Sequence, residues 1–387
     1  MTGRDRILAA YRGDKTDFVP FAPNIYLWFY YHHYKGTLPP TLAHAQHPLD
    51  VLRALDADML VRWDTQWATH KVYTAGEYTE EYVGENWDRV TTTAFNHYPP
   101  GTNQRRRKFI TPHGALTQSW TFTPETATDF EDEYWWKDWD EYPVVRFMVE
   151  ATDYVFERAM FDEWNRAVGD DGVMMVHLTQ SPLKTLHWLA GPANASLFIM
   201  EHPDEMKALA KIHEEKIIAL LEKIVDTPGA EIFVTLDNLD SAFHPPKFYA
   251  QFCADFYSRA AEIIHTRGKF LMAHACGRNR ALLSQVGASK LDALEGITPR
   301  PMGDVDLGAV RALVPYDRFT VNGGMDVTHL EIEEDAETRL HAYVRELFDS
   351  MGDKSHFVFA SSCTTSPLTP WENLVYLRDA AREYGRM

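Results

Sequence analysis

Short apolar runs alternate with longer amphipathic stretches along most of the chain. The runs are Val19 to Pro23, Met59 to Trp63, Val173 to Leu178, Ile232 to Leu236, Phe270 to Ala273, Ala293 to Ile297, Phe319 to Asn322 and Phe357 to Ala360. Each is long enough for one buried strand. Between the later runs lie patterns such as Pro246 to Thr266, where Phe248, Phe252, Phe256, Ala260 and Ile263 recur at spacings of three and four, as one buried helix face requires. Strand and helix in repeated succession predict a parallel sheet, and eight such units predict an α/β fold closed as a (β/α)8 TIM barrel. A barrel of this kind holds one core, so residues 1–387 are expected to form one domain.

The rhythm breaks between about Asp64 and Trp139. Tyr78 to Tyr82, Asp88 to Thr93, Lys108 to Ile110 and Leu116 to Phe122 are short, rich in Thr, Tyr and Phe, and separated by Gly, Pro and Asn. They predict a β-rich insertion over residues 64–139, after the second strand. Loops that follow strands lie on the catalytic face of such barrels, so the insertion is expected to form a lid or a docking surface. Its Arg105-Arg106-Arg107-Lys108 run reads as a solvated turn. No internal repeat or low-complexity linker divides the chain.

Charge narrows the partners. With 56 Asp and Glu against 38 Lys and Arg, the formal net charge is −18, which disfavours nucleic acid and anionic membrane. Three cysteines in 387 residues do not make a disulfide framework and fit a reducing, cytoplasmic setting in which thiolates stay available for metal. The start, Met1 to Ile7, lacks the apolar core of a signal peptide, and no run approaches the roughly 18 apolar residues of a membrane helix.

In a barrel the chemistry gathers where the strands end. The fifth run ends in His274-Ala275-Cys276-Gly277, and a period of two points positions 274 and 276 to one side. The eighth run leads to Cys363. Imidazole and thiolate are zinc ligands, and three protein ligands leave a coordination position for substrate, so His274, Cys276 and Cys363 are the candidate metal set. Glu295, at the end of the sixth run, is the candidate catalytic carboxylate. It is either a fourth, displaceable ligand or an acid that orients His274 through its second ring nitrogen. Thr369-Pro370-Trp371-Glu372 reads as a capping box with Pro at the first helical position, and a helix start aimed at Cys363 would favour its thiolate. Cys253 falls within a Phe-rich helical pattern and reads as core. The other strand ends offer Asn24, Tyr26, Arg62, Trp63, Thr179, Gln180, Asp237, Asn238 and Asn322. Tyr26 to Tyr34 is densely aromatic; locally extended, it would set Tyr26 and Trp28 on one side to line a pocket for a flat substrate, and plain packing competes with that reading. His32 and His33 are not placed on the metal. Tyr26, Trp28, Trp63, Asp237 and Asn322 complete the candidate substrate site.

The residues His274-Ala275-Cys276-Gly277 with the later Cys363, Leu294-Glu295-Gly296-Ile297-Thr298-Pro299-Arg300-Pro301-Met302-Gly303-Asp304, and Asn322-Gly323-Gly324 resemble the uroporphyrinogen decarboxylase superfamily, and within it the zinc-dependent corrinoid methyltransferases. The resemblance spans most of the chain outside the insertion and implies a TIM barrel. Uroporphyrinogen decarboxylases proper carry arginines after the first strand and need no metal; here that segment is aromatic and has no Arg. The departure favours methyl transfer between a small methylated substrate and the cobalt of a corrinoid (cobalamin). The chain has no Asp-x-His-x-x-Gly signature, so a separate corrinoid protein is expected to supply that cofactor. The aromatic mouth favours O-demethylation of a methoxylated aromatic. Transfer from methyl-corrinoid to a thiol, a metal-free decarboxylase-like activity, and a zinc-stapled barrel that binds without turnover are the competing readings.

Overall fold

The computed structural model describes residues 1–62, 68–85, 91–92 and 97–387. Seven parallel strands form one curled sheet in the order Phe21–Ala22, Phe357–Ser361, Thr320–Met325, Ala293–Ile297, Phe270–His274, Ile232–Thr235 and Val176–His177. Directly before the last of these, Gly172–Met174 pairs in parallel with Met59–Val61, and Met175 N donates to Val61 O at 2.8 Å. Asp58 N in turn donates to Phe21 O at 2.8 Å. These contacts bring the two edges of the sheet towards each other, giving a TIM-barrel-like α/β fold with helices outside. The eight apolar runs of the sequence each contain a strand of this system.

Side chains alternate across every strand, and the alternation sorts two cores. Val173, Met175, Ile232, Val234, Phe270, Met272, Ala293, Val358 and Ala360 fill the inside of the curled sheet. Their partners across the backbone, such as Met174, Phe233, Leu271, Ala273, Leu294 and Phe359, pack outward against the helices. One end of the interior is stopped by the helix Gly3–Arg12, which buries Ile7, Ala10 and Tyr11 against it. Thr2 and Asp5 cap that helix reciprocally and Gly13 ends it in the left-handed conformation. Arg6 fixes its position by pairing with Asp17 at 2.7 Å and with the buried Asp58, which also accepts from Phe21 N at 2.9 Å.

Three local expectations change. Tyr26–Lys35 is a helix, so Tyr26 and Trp28 diverge; Trp28 is buried with its indole N–H donating to Thr369 O at 2.8 Å. Pro246–Phe252 and Ala254–His265 are separate helices, with Cys253 buried at their junction and its thiol donating to Ser181 Oγ at 3.6 Å. Arg105 to Lys108 is not a turn but part of the strand Gln104–Thr111, and strand alternation turns Arg105 and Arg107 inward while Arg106 and Lys108 face water. That strand belongs to an antiparallel sheet ordered Glu77–Val83, Gln104–Thr111, Gly114–Thr123, Thr128–Glu133. Nearby, Thr69–Tyr73 pairs antiparallel with Thr152–Phe156.

Candidate active site at the strand ends

Beyond the apolar filling, the interior becomes polar within one residue pair per strand. Phe270 and Met272 lead to His274, Ala293 leads to Glu295, Met175 leads to His177 and Leu60 leads to Arg62, so the same alternation that packs the core places four ionisable side chains above it. Register aligns them: His274 lies opposite Glu295, and Glu295 opposite Asn322.

Glu295 is the centre of this layer. Its Oε2 meets His274 Nδ1 at 2.7 Å and its Oε1 accepts from Arg62 Nε at 2.9 Å. Burial pushes the carboxyl up, but the Arg62 guanidinium and the His274 ring outweigh burial and hold it at about 2. The carboxylate is therefore ionised and fully engaged. Glu295 thereby holds the His274 ring through Nδ1, and Nε2 is the imidazole nitrogen outside that contact.

Cys276 and Cys363 come together from different strand ends, the Cys276 thiol donating to the Cys363 sulfur. That bond drives Cys363 down and Cys276 up; burial opposes the first and adds to the second, while His274 and the Thr364 N–H lower Cys363 further. One sulfur thus has thiolate character and the other keeps the proton. The cause lies in these neighbours and not in a helix start: the helix after Cys363 is Trp371–Tyr384, with Pro370 at its N-cap and no side-chain cap, so the expected capping box is not formed. Among the described residues, no three His, Cys, Asp or Glu side chains are gathered closely enough to hold an ion. The donor chemistry nevertheless suits zinc: two sulfurs in contact, one thiolate-prone, and an imidazole held through its other nitrogen by a carboxylate.

The remaining candidates separate. Asn322 is buried inside the sheet, its amide donating to Tyr11 O–H at 3.4 Å, and its Oδ1 has no hydrogen-bond partner among the described residues. Asp237 is fully buried and faces the helix layer, accepting from Ser181 N at 2.7 Å and from Thr235 Oγ1 at 3.0 Å; burial pushes its carboxyl up to about 6. Tyr26 is buried against Tyr30, edge to face at 4.8 Å. Trp63 lies outside the described residues.

Two ionisable side chains near the site escaped the sequence reading. His177 is buried with Nε2 lacking a hydrogen-bond partner among the described residues, and burial followed by the Arg62 charge pushes its imidazole down to about 3. It stands within electrostatic range of Glu295. The signal was the period of two through Val173, Met175 and His177 inside a run that otherwise reads as wholly apolar. Lys184, in the first turn of the helix Pro182–Glu201, acts electrostatically on both Asp237 and Cys276; nothing in its sequence context marks it.

The model of the uroporphyrinogen decarboxylase (URO-D) family matches residues 115–384, and the chain belongs to that family. A methyltransferase from Methanosarcina mazei superposes with a TM-score of 0.60 at 15% identity, covering 99% of each chain, which establishes a shared fold. A psychrophilic glycoside hydrolase family 10 endo-beta-1,4-xylanase superposes with a TM-score of 0.33 at 14% identity, over 52% of this chain and 69% of that one. An intracellular xylanase from Thermoanaerobacterium saccharolyticum gives the same TM-score, 0.33, and identity, 14%, over 54% of this chain and 72% of its own. No curated protein matches by sequence.

Proposed function

We propose that the protein is a zinc-dependent methyltransferase that removes the methyl group of a methoxylated aromatic and passes it to the cobalt of a separate corrinoid protein. The observation that carries this reading is that His274, held by Glu295 and Arg62, lies within electrostatic range of Cys363, whose sulfur accepts a hydrogen bond from Cys276. His274 through Nε2, Cys276 and Cys363 would hold the ion. The chemistry zinc supplies with such a donor set is Lewis-acid polarisation of the ether oxygen that departs with the ring.

The chain's own residues do the rest. Glu295 fixes the His274 ring and its tautomer, and Arg62 keeps Glu295 ionised so that it cannot release the imidazole by taking up a proton. The apolar filling beneath, closed by Tyr11 and Ile7, excludes water from one side of the reacting oxygen. Residues 1–387 act as one catalytic unit in this reading, with 64–139 as an insertion roofing the mouth.

The test is metal content together with methyl transfer. About one zinc per chain, lost in Cys276→Ala and Cys363→Ala, and a Co(I) to methyl-Co(III) spectral change only when methyl ether, enzyme and reduced corrinoid protein are all present, is the expected result. Full activity after exhaustive metal removal, or a response confined to methylamines, overturns it.

A further inference from the structure

Cys276 and Cys363 each follow a residue whose carbonyl converges on one point, the α-carbon of Gly296. A methyl group placed on Gly296 would lie 2.9 Å from Ala275 O, just before Cys276, and 2.7 Å from Ser362 O, just before Cys363. Both distances are inside van der Waals contact, and both obstacles are backbone atoms that cannot swing aside as a flexible side chain does. The two chains are also tied in place. Ala275 N donates to Glu295 O at 2.7 Å, while Ser362 N donates to Met325 O at 2.9 Å and the Ser362 hydroxyl donates to the same oxygen. Ala275 and Ser362 are fully buried.

The backbone at Gly296 suits a spacer. Its φ is 89°, a left-handed value that favours glycine. It is also the extra residue of a bulge, since Glu295 pairs with Asn322 and Ile297 with Gly323, the very next position of the neighbouring strand. One residue therefore holds His274 and Arg62, and the next admits the two cysteine-bearing loops. The Cys276 loop has a second clamp. Asp240 Oδ2 accepts from Arg278 N at 2.9 Å, Asp240 Oδ1 accepts from Ala242 N at 2.7 Å, and Ser241 N donates to Arg278 O at 2.8 Å. A methyl group on Gly277 would lie 2.1 Å from Asp240 Oδ2, so the loop passes this carboxylate with room only for glycine.

We propose that Gly296 sets the distance between the Cys276 and Cys363 sulfurs, acting as a positioning residue through the Ala275 and Ser362 carbonyls, and that Asp240 holds the Cys276 loop at that distance. A side chain at 296 would part the loops. The zinc that the sulfurs would share rests on the function proposed above; their spacing does not.

A trivalent arsenical reads the spacing without zinc. Phenylarsine oxide condenses with two neighbouring thiols, forming two As–S bonds and releasing one water, so it needs both sulfurs at once. The full-length protein, dialysed against a chelator, is expected to take it up in competition with a small dithiol, and Cys276→Ser or Cys363→Ser to abolish uptake. Gly296→Ala is expected to weaken uptake about tenfold or more, a loss of about 1.4 kcal/mol. Gly268→Ala carries the same kind of backbone cost, at a φ of 67°, where a methyl group meets nothing within 4 Å, so uptake should be unchanged. Asp240→Asn removes one of the loop's charged acceptors and should weaken uptake severalfold; it carries the test if Gly296→Ala does not fold. Zinc affinity against a chromophoric chelator should fall in the same order. No uptake by the unsubstituted protein, full uptake by a folded Gly296→Ala or Asp240→Asn protein, or an equal loss in Gly268→Ala overturns the assignment. Uptake that follows this order in a protein that binds no zinc would instead remove the metal reading and leave the spacing standing.

Discussion

At the scale of single residues, Glu295 is the group on which the site turns, because one of its oxygens meets His274 and the other accepts from Arg62. Glu295→Gln offers an amide to two donors and can satisfy only one. Zinc affinity measured against a chromophoric chelator is expected to fall about ten- to a hundredfold, as for other losses of a carboxylate behind a ligating histidine. Denaturant unfolding should also show a loss of stability, because the charge-assisted bond from Arg62 then meets a neutral acceptor. Asp237 makes a different prediction. Its folded-state pKa, about 6, lies above its ordinary value near 3.8, so the folded protein keeps a proton that the unfolded chain releases. The resulting stability is full below about pH 4 and is lost as pH rises through 6, a swing on the order of 3 kcal/mol. Urea melts at pH 4.5 and pH 7 should reveal it, and Asp237→Asn should flatten it. His274, Cys276 and Cys363 stood out in the sequence because ligand chemistry has a vocabulary of residue types and spacings, and the contact between the two sulfurs is what the structure adds. Arg62 was legible only as a strand-end residue, and its partnership with Glu295 spans 233 positions that no local pattern links.

Secondary-structure elements were easier to find than to aim. The eight apolar runs were visible because a buried parallel strand needs four to six consecutive apolar residues, a signal that survives without context. The helix Tyr26–Lys35 was harder, since aromatic side chains cover it on all sides and erase the period that tells a helix from a strand. Arg105 and Arg107 read as solvated for a similar reason: four consecutive cations look like a surface run until alternation along the strand Gln104–Thr111 divides them between Glu80 and water. The helix Gly3–Arg12 was not marked as an element, and its role as the stopper depends on Arg6. Arg6→Met would leave Asp58 buried with its Phe21 N–H contact and, in place of an ion pair, only the weaker field of Arg382. A loss of about 3–5 kcal/mol in denaturant unfolding is expected, with zinc binding unchanged in the folded fraction.

For the molecule as a whole, the interior divides by depth, with an apolar lower part that holds the sheet in its curl and, above it, a polar layer of Arg62, His177, His274 and Glu295. Tyr11→Phe removes one hydroxyl from the lower part, where it donates to Met272 Sδ at 3.0 Å and accepts from the Asn322 amide. A cost of about 1 kcal/mol with KM and kcat unchanged is expected, whereas substitutions at Glu295 should change kinetics at least as strongly as stability. The Arg62–Glu295 pair joins strand ends that are not neighbours around the sheet: Met59–Val61 pairs with Gly172–Met174, while Ala293–Ile297 lies between Phe270–His274 and Thr320–Met325. It therefore works as a tie-beam across the opening: a strand from one side of the curl is braced against a strand from the other, so the same ion pair that holds His274 also resists spreading of the sheet.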